Sequence, residues 1–75
     1  MTITLKCFAT LAEFQPEDAD NYPVAPGATP LSVMQALSIP PEEVNIIFIN
    51  GVAATLESPL KDGDRLGLFP AVGGG

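Results

Sequence analysis

The sequence holds no histidine and a single cysteine, and each shortage removes a class of function. Without an imidazole there is no general base for a triad, and no nucleophile has a partner in reach. Cys7 alone closes no internal disulfide and builds no tetrahedral zinc site. Basic residues are scarce too: three Lys and Arg stand against nine Asp and Glu, a net charge of −6. Nucleic acid, whose phosphates need a basic footprint, is disfavoured as a partner. The acidity serves solubility first and basic partners second. No apolar run approaches the ~18 residues of a membrane span. The opening Met1-Thr2-Ile3-Thr4 carries no basic region followed by an apolar run, so no signal peptide is expected. A small domain without disulfides fits a reducing compartment, so the expected location is cytoplasmic.

What is present is a packing-grade composition. The 75 residues are 47% hydrophobic and 16% charged, which is too apolar for a disordered chain and sized for one domain. Thr2 to Phe8 alternates, with Ile3, Leu5 and Cys7 on the inner face, and reads as a half-buried strand. Cys7 is therefore expected as a core side chain. Ala9 to Phe14 is a short helical turn or a loop with Leu11 and Phe14 inward, and Gln15 to Asp20 is a solvated acidic connection. Asn21 to Ala25 is a second strand, placed at an edge because Pro23 cannot donate to a ladder.

Thr29-Pro30 marks a helix start, and Leu31, Met34 and Leu37 stack on one face, widened by Val33 and Ala36. Pro40-Pro41 ends the helix near Ser38, and Pro41-Glu42-Glu43 allows a further turn. Asn45 to Ile49 is a continuous apolar run, which predicts a strand buried on both faces. Asn50-Gly51 is a hairpin turn leading to a short strand over Val52 to Ala54. Ser58-Pro59-Leu60 and Asp62-Gly63 are turns, and Arg65 to Phe69 is the last strand, ended by Pro70. First and last strands are expected as central neighbours in an α+β roll with one helix over one face.

No phosphate-cradling glycine loop opens a helix, and Glu42-Glu43 and Asp62-Gly63-Asp64 lie in turns rather than in a pocket that would shift their pKa values. Intrinsic catalysis is not expected. The sequence closes on Val72-Gly73-Gly74-Gly75, whose terminal carboxylate is unshielded by any β-carbon. From Pro70 onward six residues reach roughly 20 Å, enough to enter a partner's active site. A carboxylate is a poor electrophile and needs activation, commonly by ATP-driven adenylation.

Four stretches then resemble one family. They are Lys6-Cys7-Phe8-Ala9-Thr10-Leu11-Ala12-Glu13, Ile49-Asn50-Gly51, Leu60-Lys61-Asp62-Gly63-Asp64-Arg65-Leu66, and Leu68-Phe69-Pro70-Ala71-Val72-Gly73-Gly74. In that order they resemble the ubiquitin-like sulfur carriers: the molybdopterin synthase small subunits and the sulfur carriers of thiamine synthesis. The resemblance implies a ubiquitin-like β-grasp roll, a mixed four- to five-stranded sheet with one main helix packed on one face. It implies a domain over residues 1–69 and a flexible glycine tail over 70–75.

It also implies a role. The chain would be a covalent sulfur carrier rather than an enzyme, counting at most as the small subunit of a molybdopterin synthase. An E1-like adenylating enzyme would activate Gly75 with ATP. A sulfurtransferase or cysteine desulfurase would leave a thiocarboxylate, so that Gly75 becomes a 1-thioglycine. No cofactor or metal would be bound. The large molybdopterin synthase subunit, or a thiazole synthase, would take the sulfur. Phe69, Pro70, Val72, Gly73 and Gly74 would bind partners. Phe69-Pro70 resembles the molybdopterin carriers, whereas Gly73-Gly74-Gly75 and Ala71 depart from them, the third glycine toward the thiamine carriers. A ubiquitin-like modifier joined through Gly75 to target lysines is the other reading. Leu68 and Phe69 point to opposite faces of one strand, so a buried Leu68 turns Phe69 outward as a docking candidate. Lys61 and Arg65 are expected as solvated surface cations that are also able to meet acidic partner groups.

Overall fold

The computed structural model of the protein describes residues 1–70. Five strands form one mixed sheet: β1 (Thr2–Cys7), β2 (Tyr22–Pro23), β3 (Val44–Ile49), β4 (Val52–Ala54) and β5 (Arg65–Pro70). Their order is β2-β1-β5-β3-β4, with β1 and β5 parallel and the other pairs antiparallel. The expected central pairing of first and last strands is therefore present. One helix, α1 (Pro30–Ala36), supplies the cover, and 3₁₀ turns occupy Ala9–Phe14, Ala19–Asn21 and Pro41–Glu43. This is the ubiquitin-like β-grasp roll that the motifs imply.

The alternation in β1 does what its pattern predicts. Ile3, Leu5 and Cys7 are buried and join Leu66 and Leu68 of β5 and Ile47 of β3 in one core. Pro30, Val33 and Met34 of α1 are buried as well. Leu31 and Leu37 are only half-buried and Ala36 is exposed, so the helix buries a narrower stripe than its sequence suggests. At seven residues it is too short to present a full i, i+3, i+7 face.

Both helix ends are capped. The Thr29 side chain accepts from the Ser32 N–H at 3.2 Å, and Ser32 Oγ accepts from the Thr29 N–H at 2.9 Å, a reciprocal capping box. At the far end Ser38 takes a left-handed φ of 60°. Its N–H donates to the Gln35 carbonyl, and the Ile39 N–H donates to the Met34 carbonyl at 2.9 Å. This is a Schellman closure built on serine where glycine is usual. The helix thus stops before Pro40-Pro41 reach it.

Three expectations change. The acidic connection is not wholly solvated, because Ala19 turns into the core while Glu17, Asp18 and Asp20 stay outside. The turn expected at Ser58–Leu60 sits earlier, where the Ser58 N–H donates to the Thr55 carbonyl and Ser58 Oγ accepts from the Thr55 N–H. Leu60 instead is core. The strand expected to be buried on both faces is buried on one: Ile47 is core, but Ile46 is 42% exposed. Its second face is apolar yet uncovered, which a continuous hydrophobic run cannot distinguish from a buried one.

Asn50 and Gly51 both have positive φ, 54° and 81°, as a two-residue hairpin of this type requires. The Asn50 side chain also leaves its own hairpin. Its Nδ2 donates to Asp64 Oδ1 and its Oδ1 accepts from the Arg65 N–H, each at 2.9 Å. Asp64 Oδ2 accepts from the Lys61 N–H at 2.8 Å. Asp62 Oδ1 accepts from the Thr2 N–H at 2.9 Å. The Leu-Lys-Asp-Gly-Asp turn is thereby tied to the start of β1 and to the β3–β4 hairpin. Its acids are structural ligands of backbone and amide groups.

Candidate functional site

The core face of the sheet is closed by α1, which leaves the opposite face as the uncovered one. The pleat sends Thr4 and Lys6 of β1, Arg65, Gly67 and Phe69 of β5, and Ile46 and Phe48 of β3 to that side. Register then sets them beside one another. Lys6 and Phe48 flank Gly67 on its two sides, Arg65 lies opposite Thr4, and Ile46 opposite Phe69. Phe8, just past β1, closes the group.

Three aromatic rings make the centre of this face. Phe8 and Phe69 stack with centroids 4.2 Å apart and planes 3° from parallel. Phe48 meets Phe69 edge-on at 5.5 Å and 84°. Such pairs contribute about 0.5–1.5 kcal/mol each beyond their burial, so the rings hold a defined arrangement without a covering layer. Gly67 lies beneath them: a β-carbon there would lie 3.4 Å from Phe8 Cε2 and 3.9 Å from Phe69 Cε2, in contact with both rings, so glycine leaves the space beside them open. The resulting open cavity of about 270 Å³ is lined by the three rings, Gly67, Lys6 and Arg65, among others.

The predicted site residues fall in two groups. Phe69 is on the outer face as expected, half-buried between its ring neighbours. Pro70 is the last residue of β5, paired with Val44, so the strand runs one residue past the boundary drawn at Phe69. Val72, Gly73, Gly74 and Gly75, and with them most of the tail expected over 70–75, lie outside the described residues. β5 leads directly from the aromatic face toward them. Phe8, Phe48, Gly67 and Lys6 were not expected at a site. The signal available for Phe48 was its place between Ile47 and Ile49, which puts it and Ile46 on the face opposite the core.

Elsewhere among the described residues there is little reactive chemistry. Among the described residues no group of three His, Cys, Asp or Glu side chains is placed to hold a metal ion, and no helix is long and apolar enough to cross a membrane. Cys7 is buried, and desolvation pushes its thiol up from its ordinary value. It stays protonated at neutral pH and is a packing residue, as its alternation predicts. A thiol reagent at pH ~7 is therefore expected to label the native protein at least ~100-fold more slowly than the urea-unfolded chain. Equal rates would contradict its placement in the core.

The comparisons with known proteins agree with this fold. The profile of the ThiS family matches residues 5–75. The crystal structure of SAMP1 from Haloferax volcanii matches with a TM-score of 0.70 and 27% identity, over 100% of both chains. A crystal structure of H. volcanii small archaeal modifier protein 1 matches with a TM-score of 0.67 and 27% identity, over 93% of this chain and 97% of the other. No curated protein matches the sequence.

Proposed function

The chain belongs to the ThiS family, a family of ubiquitin-like sulfur carriers, and on that premise we propose that its Gly75 carries sulfur for molybdopterin biosynthesis. A protein of this kind is a carrier or modifier and is not itself an enzyme. Its reactive group is the terminal carboxylate. On an E1-like adenylating enzyme one carboxylate oxygen attacks the α-phosphorus of ATP, and pyrophosphate leaves. A persulfide sulfur, held by a sulfurtransferase or cysteine desulfurase, then attacks the acyl carbon and AMP leaves. The acyl disulfide so formed keeps the persulfide's S–S bond; a second thiol attacks the donor's sulfur, forms a disulfide with it, and leaves Gly75 as a thiocarboxylate. Glycine offers no β-carbon to hinder either attack.

The observation that carries this reading is that the family profile runs to residue 75 and so includes Gly73-Gly74-Gly75. Phe69-Pro70 at the root of the tail favours the large molybdopterin synthase subunit as the acceptor, with this chain as the small subunit of that synthase. The cofactor made would hold molybdenum or tungsten. The third glycine favours the thiazole of thiamine as the alternative destination. The test is consumption of sulfur. The thiocarboxylated protein is expected to lose about 16 Da, sulfur replaced by oxygen, with the large synthase subunit and its pterin precursor, and to keep its mass with a thiazole synthase. The reverse pattern would move the proposal to thiamine.

A second reading has its own support. Two of the matching crystal structures are of a small archaeal modifier, which favours conjugation of Gly75 to lysines of other proteins. Isopeptide-linked adducts in cell lysate, with no free thiocarboxylate pool, would establish it in place of sulfur transfer.

The aromatic face beside the tail suits the docking that either reading needs. Phe69→Ala removes the ring shared by both aromatic contacts. Affinity for the E1-like enzyme is expected to fall about tenfold or more, as at a central interface anchor. An unchanged affinity, with the fold intact, would exclude Phe69 as that anchor.

A further inference from the structure

The charges of this chain are segregated, and the segregation runs against its net charge. Nine acids and three bases give −6, yet no Asp or Glu lies in any of the five strands. Glu13, Asp20, Glu42 and Glu43 sit on 3₁₀ turns, and Glu17, Asp18, Glu57 and Asp62 lie in connections. Asp64, next to Arg65, is buried with its oxygens on Asn50 and Lys61. Two of the three bases do lie in strands. Lys6 and Arg65 both line the aromatic cavity, and among the described residues no carboxylate lines it. Thr4 lies opposite Arg65 and Lys6 opposite Gly67, so the two cations are diagonal neighbours one pleat apart on adjacent strands.

We infer that this face selects a protein partner whose surface has an apolar centre and a rim of carboxylates. An apolar side chain of the partner fills the cavity over Gly67, and acids beside it meet Lys6 and Arg65. The inference rests on the carrier reading and adds to it: the activating enzyme that receives this chain is acidic where it docks, although the chain itself is acidic. The exposed acids elsewhere, all off the sheet face, then repel the same partner in wrong orientations. Complementary charge of this kind sets orientation and association rate, and it is weakened by salt.

The test uses the full chain and the purified E1-like enzyme from the same cell, with affinity measured at about 50 mM and about 500 mM salt. Wild-type affinity is expected to fall at least about tenfold between them. The Lys6→Glu/Arg65→Glu double variant should bind about tenfold or more weakly at low salt and lose most of that salt dependence. Lys61→Glu, an equal kind of change outside the cavity, should stay within about twofold. Thermal unfolding of each variant checks the fold, and the wild-type salt series stands without any variant. Wild-type affinity in the double variant, tighter binding by it, or an equal loss in Lys61→Glu would overturn the inference. Loading of the wild type by the same enzyme separates the two claims. If the wild type gains sulfur while charge reversal has no effect, the docking inference alone fails. If the wild type is neither bound nor loaded, the carrier reading fails and the inference falls with it.

Discussion

Deletion of Gly75 is expected to abolish sulfur loading, at least ~100-fold below wild type, while the unfolding midpoint stays within about 2 °C. The two halves of this result come from different parts of the chain. The core cluster runs from Ile3 to Leu68, and the strand ladder ends at the Val44–Pro70 pair, so the fold is complete without the last residue. The chemistry is not. Shortening the tail moves the carboxylate back by about 3.3–3.6 Å, and near-attack geometry tolerates far less than that. Adding one alanine after Gly75 should be as damaging, because it moves the carboxylate the other way and puts a β-carbon beside the acyl carbon. Intact-mass measurement after incubation with ATP, the E1-like enzyme and a sulfur donor reads loading, and calorimetry reads stability. A deletion variant that loads normally would show that another group carries the sulfur.

The second large effect is structural. Asp64→Ala is expected to cost about 2–3 kcal/mol, since it removes two hydrogen bonds to a buried carboxylate and strands the Asn50 amide. A chain of this size has stability near the low end of the usual range of about 5–15 kcal/mol. The melting temperature should therefore fall by roughly 10–20 °C. Asp62→Ala removes one exposed bond to the Thr2 N–H and should cost only about 0.5–1 kcal/mol. Urea denaturation of the two variants measures both. Equal and small losses would mean that the Asp64 network does not hold the β3–β4 hairpin against β5.

This pair of acids shows what the sequence could and could not reveal. Asp62-Gly63 is legible as a turn because Gly63 has to take a positive φ, here 83°. That Asp64 reaches Asn50, fourteen residues away, follows from the β3–β5 register and from no local pattern. The strands were legible wherever one face was apolar, as in Ile3-Leu5-Cys7. They were ambiguous where both faces were, as in Ile46 to Ile49: hydrophobicity reports that a side chain avoids water, not whether this chain or a partner excludes it. Phe69 was placed on the outer face by its neighbour Leu68. Phe48 carries the same signal through Ile47 and Ile49, but the meeting of Phe8 and Phe48 with Phe69 depends on three strands in register. Ser38 closing the helix in place of glycine left no sequence signal either.

The central claim is that Gly75 itself bears the activated sulfur. It is tested most directly by fragmenting the intact protein in a mass spectrometer after loading with ATP, the E1-like enzyme and a sulfur donor. A gain of about 16 Da confined to the C-terminal fragments that hold Gly75 is the predicted result, oxygen exchanged for sulfur at one acyl carbon. A gain of about 32 Da on the fragments that hold Cys7, the signature of a persulfide, would contradict it, as would an unmodified Gly75 in a preparation competent for sulfur transfer.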